Sequence, residues 1–291
     1  MTEERIRIGV IGGSGLYDID GLSETQELNV STPFGMPSDS IVVGTLEGVK
    51  VAFLARHGRG HRITPTELNA RANIFALKTL GVEQIVAVSA CGSLRNHICP
   101  GDVVVPDQLF DFTKNREYSF FGRGLVAHIG VADPFCARLS SIVASSVREA
   151  GGTVHDTGCY ITIEGPRFST KAKSRAYQSW GMDLIGMTTA PEAFLAREAE
   201  ICYAVMAHVT DYDVWHETED PVSVSAVLET LGNNTQLAQD ALRILVRDLA
   251  ASDRDCECDS ALAAALITNP EVVPQHLKKE LHLLVGKYLK Q

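Results

Sequence analysis

Apolar runs separated by polar turns recur along the first two thirds of the chain. The runs at residues 84–89 and 202–207 are almost uninterrupted, which is typical of strands buried on both faces of a parallel sheet. Two other runs flank a Glu47-Gly48 turn and predict a β-hairpin. Strands are predicted at residues 6–11, 41–46, 49–55, 84–89, 102–106, 158–163, 183–186 and 202–207.

Helical periodicity fills several intervals between these strands. A hydroxyl, a proline and an acid at Thr64, Pro65 and Glu67 predict a helix start. After residue 223 apolar positions recur with helical spacing until Gly232, where a glycine and two asparagines predict a break. Strands alternating with helices indicate an α/β protein with a largely parallel sheet. Further helices are predicted at residues 136–150, 169–180, 237–249, 274–289 and, from alanine richness, after a polar linker at 252–259.

Composition limits the classes of function. With 291 residues and 45% hydrophobic content, the chain can bury a substantial core, as one large α/β domain or two smaller ones. A net charge of -10 argues against a nucleic-acid partner, although a few basic groups and amides can still hold a small anion. No apolar stretch reaches the length of a membrane span, and the acidic start lacks the features of a secretory signal. We therefore expect a cytoplasmic protein.

Seven cysteines are scattered along the chain, and their odd number and wide spread do not suggest a secreted disulfide framework. Only Cys256 and Cys258 are close in sequence, with one residue between them. Zinc ligands usually come in pairs with wider spacing, and the sequence offers no second pair. Two solvent-accessible thiols in a loop are therefore expected, in preference to a redox or metal site.

Chemically useful side chains follow several predicted strands. Asp211 and Asp213 lie shortly after the run 202–207, where a parallel strand delivers groups to a ligand. Two carboxylates there could accept amino protons, transfer a proton or hold a metal. A Gly-Gly-Ser-Gly turn at residues 12–15 follows the first strand, and its amides, with the hydroxyl of Ser14, could converge on an anion. The turn lacks the Walker lysine and the second half of a dinucleotide fingerprint, so neither ATP nor NAD is indicated.

The densest basic segment follows the strand predicted at residues 49–55. Arg56, His57, Arg59, His61 and Arg62 fall within seven residues and alternate with glycines, which let the backbone approach a ligand closely. A solvated charge run is the usual explanation of such a cluster. Its place after a buried strand instead favours an oxyanion site, for which arginine is well suited.

Two other segments leave their roles open on the residues alone. Residues 111–130 lack a regular pattern but contain four aromatic residues and His128. A small satellite core and a lid or interface explain that segment equally well. Thr188 precedes a helix start at Pro191 and could donate near the positive end of that helix, whereas Met187 by itself is better explained as core filler.

Seven motifs, taken together and in order, closely resemble the 5'-methylthioadenosine phosphorylases of the purine nucleoside phosphorylase superfamily. The resemblance extends from Ile8 to about Leu249. The motifs are Gly-Gly-Ser-Gly-Leu at 12–16, Thr-Pro-Phe-Gly at 32–35, Arg-His-Gly at 56–58, Ala-Cys-Gly-Ser-Leu at 90–94, Glu-Gly-Pro-Arg-Phe at 164–168, Met-Thr-Thr-Ala-Pro-Glu at 187–192 and Thr-Asp-Tyr-Asp at 210–213.

The resemblance implies a nucleoside phosphorylase fold: a single-domain, mixed and partly parallel β-sheet or distorted barrel flanked by helices. Residues 1–250 would form the catalytic domain, with residues 251–291 a helical extension packed on it. The implied reaction is phosphorolysis of 5'-methylthioadenosine to adenine and 5-methylthioribose 1-phosphate, with phosphate as co-substrate and without a cofactor or metal. A homo-oligomer is also implied, either a trimer or a dimer of trimers.

The resemblance further assigns roles to residues in the matching motifs. Asp211 would donate to purine N7 as the glycosidic bond breaks, and Asp213 would accept from the 6-amino group. His128 would reach the 5' pocket of a neighbouring subunit, which explains the aromatic segment better than a satellite core does. Phosphate would be held by Ser14, Arg56, His57, Ala90 and Thr188, the ribose by Met187, the base by Phe168 and Ser169, and the methylthio group by His61, Val224, Leu228 and the neighbour's His128.

Three alternative functions remain. An aspartate pair disfavours a 6-oxo purine, because a buried acceptor without a donor costs about 1–3 kcal/mol. This argues against a phosphorylase for 5'-methylthioinosine or for purine nucleosides in general. Arg56 and His57 argue against a hydrolytic nucleosidase, which shares the fold. The third alternative is a non-catalytic nucleotide-binding protein. Metal binding by Asp211 and Asp213 is disfavoured, because the basic residues and glycine turns nearby suit an anion.

Overall fold

A β-sheet forms the centre of the molecule in this computed structural model, which describes residues 5–16, 19–216 and 224–289. Within those residues the strands are β1 (Ile8–Gly12), β2 (Ser23–Leu28), β3 (Ile41–Leu46), β4 (Val49–Ala55), β5 (Gln84–Ser93), β6 (Val103–Val104), β7 (Gln108–Phe112), β8 (Val154–His155), β9 (Cys159–Ile163), β10 (Leu184–Gly186) and β11 (Cys202–Asp211). The helices are α1 (Ala70–Thr79), α2 (Ala137–Glu149), α3 (Lys171–Ser179), α4 (Thr189–Glu198), α5 (Val224–Ala250), α6 (Gln275–Glu280) and α7 (His282–Val285).

The sheet is mixed and branches at β5. Its main strand order is β2-β3-β4-β1-β5-β10-β9-β7, while β11 pairs with β5 and β6, and β6 also pairs with β8. Strand β1 runs parallel to β4 and β5, and β11 runs parallel to β5. The carboxyl ends of these four strands therefore meet at one edge of the sheet. The predicted α/β fold with a mixed, partly parallel sheet is confirmed.

Strand β11 lies between two hydrophobic layers. Tyr203 and Val205 pack into a core with α1 and α4, whereas Ala204 and Met206 pack into a second core with α2 and α5. Each face of the strand must therefore be apolar, which explains the uninterrupted run at 202–207. The strand continues to Asp211, so the first acidic residue stands at the end of the strand, as predicted.

The aromatic segment contributes to the main core. The ring of Phe120 is buried and lies 5.2 Å from that of Phe34, measured between centroids. The Glu198 carboxylate fixes this position, because it accepts hydrogen bonds from Ser119 Oγ at 2.6 Å and Phe120 N at 2.8 Å. Core packing therefore accounts for Phe120, whereas Tyr118 is 40% exposed.

Several predicted boundaries were wrong. Thr64 precedes a 3-10 helix (Pro65–Glu67), and α1 begins only at Ala70, where the Asn69 side chain caps it by accepting a hydrogen bond from Ala72 N. The segment 90–93 was predicted as a turn but extends β5, because β10 and β11 supply its hydrogen-bond partners.

One strand was not predicted, and one predicted helix break is absent from the structure. Strand β2 was not predicted, because it is an exposed edge strand with a polar sequence. Helix α5 continues through Gly232 without the predicted break. A single glycine costs a helix only about 1 kcal/mol, which tertiary packing of the rest of a long helix can offset.

The segment after residue 250 is less helical than predicted. The alanine-rich stretch forms turns after a short 3-10 helix (Glu257–Ser260), and residues 274–289 form α6 and α7 instead of one helix. Leu277, Leu281 and Leu284 join the same core as α1 and α4. The domain boundary at residue 250 stays a prediction. Among the described residues, no helix is long and apolar enough to cross a membrane.

Candidate active site

A cavity of about 620 Å³ lies at the edge of the sheet where the parallel strands end. Gly13 follows β1, Arg56 follows β4 and Asp211 ends β11, and all three line this cavity. Met187 reaches it from the end of β10. The predicted convergence of functional groups at strand ends is therefore confirmed, and the volume suits a small organic ligand.

Most of the predicted site residues line this one cavity. Ser14 begins a short 3-10 helix (Ser14–Leu16), and its neighbours Gly13 and Gly15 both line the cavity. The side chain of Ser14 lies outside the described part of the structure. The side chains of Val224 and Leu228, in the first turns of α5, also lie outside it. The predicted residues that line the cavity are Arg56, His57, His61, Ala90, Phe168, Ser169, Met187, Thr188, Asp211 and Asp213.

His128 does not line the cavity of its own chain among the described residues. It is exposed, and its backbone N–H donates to Ala265 O at 2.9 Å. A neighbouring bridge pairs Ala127 with Leu266. The loop that carries His128 is thus attached to the segment after residue 250.

Arg56 is buried and is held by other residues of the protein. Its Nε and Nη2 donate to the two oxygens of Glu192 at 2.6 and 3.1 Å, while Nη1 donates to Val88 O and Nη2 to Ile11 O. These four hydrogen bonds leave one of the five guanidinium N–H groups for a ligand. Burial opposes the charged form, but the Glu192 carboxylate and its hydrogen bonds raise the pKa of Arg56 above its ordinary value. Arg56 therefore supplies a fixed positive charge.

Glu192 was missed by the sequence analysis, although it decides how Arg56 is oriented. It is 1% exposed and also accepts a hydrogen bond from Tyr203 Oη at 2.9 Å. In the sequence it is the last residue of the motif at 187–192 and an acid in the first turn of a helix, and neither feature gave it a role in the site. Its partner stands 136 residues earlier in the chain, so no local pattern could reveal the pair.

His57 is neutral in the free protein. Burial lowers the pKa of His57 to about 4, with the charge of Arg56 acting in the same direction. Its Nδ1 lies 2.8 Å from Ile63 O, so Nδ1 carries the proton and Nε2 is left as a hydrogen-bond acceptor. The ring stacks on that of His61 at 4.3 Å between centroids. Such an acceptor suits the hydroxyl of a partly protonated phosphate.

Asp211 is oriented by two hydrogen bonds. Its Oδ2 accepts from Thr210 Oγ1 at 2.6 Å, and its Oδ1 accepts from Asp213 N at 2.7 Å. Burial raises the pKa of Asp211, and the two hydrogen bonds oppose that rise. Gly92 makes room for the carboxylate, because a Cβ there would lie 2.9 Å from Oδ1. A carboxyl with a raised pKa is suited to act as a proton donor.

Asp213 places a buried carboxylate oxygen in the wall of the cavity. Its Oδ2 and the hydroxyl of Ser169 are buried without a hydrogen-bond partner among the described residues. Burial raises the pKa of Asp213, and the nearby Ser174 hydroxyl acts in the opposite direction. Buried polar atoms are rarely left unpaired in the functional state. A ligand with an amino group between these atoms would satisfy them.

Arg116 and Glu164 support the part of the wall that contains Met187, and neither role was predicted. Arg116 Nε donates to Glu164 Oε1 at 3.0 Å, and its Nη2 donates to Met187 O at 3.2 Å. Burial opposes ionisation of Glu164, but hydrogen bonds from Thr66, the 114–115 amides and Arg116 lower its pKa to about 2. Gly165 allows close packing, because a Cβ there would lie 2.6 Å from Met187 Sδ. Met187 is thus a positioned wall residue.

Thr188 occupies the N-cap position of α4, but its side chain makes no capping hydrogen bond there. The φ and ψ angles of Ala190 are not helical, so the regular helix begins at Pro191. Thr188 is 8% exposed and lines the cavity. Thr188 is therefore a residue of the cavity wall whose side chain does not close the helix end.

His208 also lines the cavity and was not predicted. The side chain is 1% exposed, and neither ring nitrogen has a partner among the described residues. Burial lowers the pKa of His208 to about 4. Asn234 of α5, whose Nδ2 is likewise unpaired within the described residues, lines the same cavity. A single histidine between Ala207 and Val209, just after the run at 202–207, gave no signal for this placement.

His208→Leu is expected to make stability less sensitive to acid. The unfolded state, with a histidine pKa of about 6.5, binds more protons than the folded state between that value and the folded pKa of about 4. The part of the free energy of unfolding that depends on a neutral His208 is therefore fully present above the unfolded pKa, and it is lost as the pH falls toward the folded pKa. Between about pH 7.5 and about pH 5, wild type should lose ~2 kcal/mol more than His208→Leu in urea unfolding. The exposed His97→Leu variant is the control, and equal slopes for all three proteins would contradict this.

Comparisons with known proteins place the chain in one family. The sequence profile of the phosphorylase superfamily matches residues 7–251. The S-methyl-5'-thioadenosine phosphorylase of Koribacter versatilis is 53% identical over 281 residues, which cover 97% of this chain and 96% of that protein. The protein of the same name from Geobacter sulfurreducens is 52% identical over 283 residues, which cover 97% and 99%.

Solved structures agree with the sequence comparisons. A methylthioadenosine phosphorylase sourced from an antarctic soil metagenomic library has a TM-score of 0.93 and 46% identity, covering 97% of this chain and 99% of that chain. The methylthioadenosine phosphorylase from Schistosoma mansoni, in complex with adenine, has a TM-score of 0.83 and 35% identity, covering 97% and 98%.

Proposed function

This chain belongs to the phosphorylase superfamily, and we propose that it cleaves the N-glycosidic bond of 5'-methylthioadenosine with inorganic phosphate. The products are adenine and 5-methylthioribose 1-phosphate. The observation that carries the proposal is one cavity lined both by a fixed cation with a neutral histidine, Arg56 and His57, and by two buried carboxyls, Asp211 and Asp213. These groups suit an anionic co-substrate and a purine edge. The reaction uses phosphate as a co-substrate, and we propose no cofactor.

In this proposal, Arg56 and its neighbours bind phosphate at one end of the cavity. The Arg56 guanidinium offers its remaining N–H and its charge, while Thr188 and the amides around Gly13 offer further donors. His57 Nε2 accepts from the phosphate hydroxyl. Phosphate held against C1' stabilises the positive charge that develops on the ribose as the bond breaks. We place Ser14 and Ala90 in the same group.

Asp211 and Asp213 bind the purine base in this proposal. Electrons of the breaking bond flow into the purine, and Asp211 transfers a proton to N7 at that stage, as its raised pKa allows. Asp213 Oδ2 accepts from the 6-amino group, which satisfies its unused lone pair. Phe168 covers the base and the Ser169 hydroxyl bonds its edge. A 6-oxo purine would instead place an acceptor against Asp213, at a cost of about 1–3 kcal/mol.

The sugar end involves Met187 and residues near the start of α5. Met187, fixed through Arg116, lies against the ribose. His61, Val224 and Leu228 form the apolar surface for the methylthio group. His128 of a neighbouring copy completes it, so we propose a homo-oligomer, either a trimer or a dimer of trimers. The cytoplasmic location expected from the sequence stays a prediction.

Phosphate dependence tests the proposal directly. Adenine release from 5'-methylthioadenosine should fall to background when phosphate is omitted, and it should exceed hypoxanthine release from 5'-methylthioinosine by at least ~10-fold. The measurement is base release followed by chromatography with matched nucleosides. Equal rates with and without phosphate would indicate a hydrolase. Faster hypoxanthine release would overturn the assignment of Asp213, and no release from either nucleoside would favour a binding protein.

A further inference from the structure

Four cysteines meet on the side of the sheet covered by α2 and α5. The sulfur atoms of Cys136, Cys202, Cys256 and Cys258 all lie within 4.8 Å of one another, and those of Cys202 and Cys256 are 3.3 Å apart. Cys136 is the N-cap residue of α2, and Cys202 begins β11. Cys256 is the N-cap residue of the 3-10 helix at residues 257–260, and Cys258 lies within that helix. All four are free thiols.

The cluster corrects the interpretation of the Cys-x-Cys motif. Cys258 is 4% exposed and Cys256 is half-buried, so they are not two solvent-accessible thiols in a loop. The second pair that the sequence lacked is supplied by the fold, from Cys136 and from Cys202, which lies 54 residues before Cys256. A tetrahedral zinc ion with Zn–S distances of about 2.3 Å separates its sulfurs by about 3.8 Å. The Cys202–Cys256 spacing of 3.3 Å is slightly shorter than that value, and all the sulfur–sulfur distances stay within 4.8 Å.

Two arginines supply the charge that four thiolates need. Arg254 Nε donates to Cys202 Sγ at 3.3 Å, and Arg197 Nη1 donates to Cys258 Sγ at 3.5 Å. Each guanidinium is anchored by a backbone carbonyl, Glu200 O for Arg254 and Asp133 O for Arg197. A zinc ion with four thiolates carries a net charge of about -2, which these two cations balance. Neutral thiols would offer the arginines no negative charge to pair with. Hydrogen bonds from N–H donors to metal-bound sulfur are typical of such centres.

We propose that Cys136, Cys202, Cys256 and Cys258 bind one zinc ion as a closed structural site. Four protein ligands leave no coordination position for a substrate, so the ion acts on stability and not on the reaction. It ties the segment after residue 250 to the start of β11 and to α2. Beyond the cluster, Leu262 N donates to Glu200 Oε1, and Ala265 O holds the loop of His128. The site therefore anchors the segment on which that loop rests.

Metal content of the full chain tests the proposal. We expect about one equivalent of zinc per chain by elemental mass spectrometry after purification under reducing conditions. Titration with a mercurial reagent should release it as the cluster thiols react, with a loss of several degrees in the melting temperature. Cys258→Ser should abolish zinc binding, whereas Cys99→Ser, an exposed cysteine outside the cluster, should keep both zinc and stability.

Three outcomes would overturn the zinc site. The first is wild-type protein with intact thiols and no zinc after incubation with excess zinc and gel filtration. The second is an intact mass, measured without reduction, that is lower than the mass of the all-thiol chain by two hydrogens for each of two disulfide bonds. The third is full zinc retention in both Cys136→Ser and Cys258→Ser. Because metal content and mass are read on the wild-type protein, the test does not depend on whether a variant folds.

Discussion

Replacing Asp211 with alanine is expected to lower kcat for 5'-methylthioadenosine by about two to four orders of magnitude, the usual contribution of a general acid. The dissociation constant of phosphate should change little, because Arg56 and His57 are positioned by Glu192 and Ile63 and not by Asp211. Burial raises the pKa of Asp211. In wild type, kcat/KM should therefore fall as pH rises through that raised pKa, since the acid must hold its proton to donate it.

Asp211→Asn separates proton transfer from hydrogen bonding. Its amide can still donate a hydrogen bond to N7 and can accept from Asp213 N, but it cannot deliver a proton. If proton transfer matters, Asp211→Asn should resemble Asp211→Ala and lose the fall of kcat/KM at high pH. Initial rates across pH and thermal melting of each variant provide the measurements. A folded Asp211→Ala protein with kcat close to wild type would contradict the assignment, and Asp156→Ala, on the exposed surface, is the matched control.

The locations of functional groups could be predicted from the sequence, because they depend on local pattern. Apolar runs long enough to be buried on both faces predict parallel strands, and the residues that follow such strands must meet at one edge. Arg56 and Asp211 were found in this way, whereas Met187 was assigned to the site only through the family resemblance. Ten of the eleven predicted residues whose side chains the structure describes line the cavity. Whether each performs its proposed role is a separate question, which the substitutions address.

What could not be predicted are contacts between residues far apart in the chain. Glu192 lies 136 residues from Arg56, and Arg116 lies 48 residues from Glu164. Glu192 and Arg116, each taken alone, have the sequence signature of an ordinary surface charge. The same limitation hid the cysteine cluster, since one visible pair gave too weak a signal for a metal site. For a related reason, edge strand β2 was not predicted and the end of β5 was predicted as a turn: pairing with neighbouring strands, and not local propensity, decides their structure.

The buried pair of Arg56 and Glu192 leads to the second large effect. Glu192→Ala should lower the free energy of unfolding by about 3–5 kcal/mol, because it leaves the Arg56 charge buried without compensation. It should also raise the KM for phosphate, since the guanidinium loses the two hydrogen bonds that fix its orientation. Urea unfolding and phosphate-dependent initial rates measure the two effects. Glu198→Ala, in the same helix but bonded to the loop of Ser119, is the control for phosphate KM.

A double variant separates the structural role of the pair from its function. Replacing Arg56 and Glu192 together by methionine removes both charges, and well-packed apolar replacements of buried ion pairs are often neutral or stabilising. Stability should therefore recover relative to Glu192→Ala, while use of phosphate stays lost. Recovery of phosphate turnover in the double variant would mean that the Arg56 charge serves only the fold. Failure to recover stability would instead point to Tyr203, whose hydroxyl loses its acceptor when Glu192 is removed. In that case, adding Tyr203→Phe should restore the missing stability without restoring turnover, because this hydroxyl bonds Glu192 and does not line the cavity.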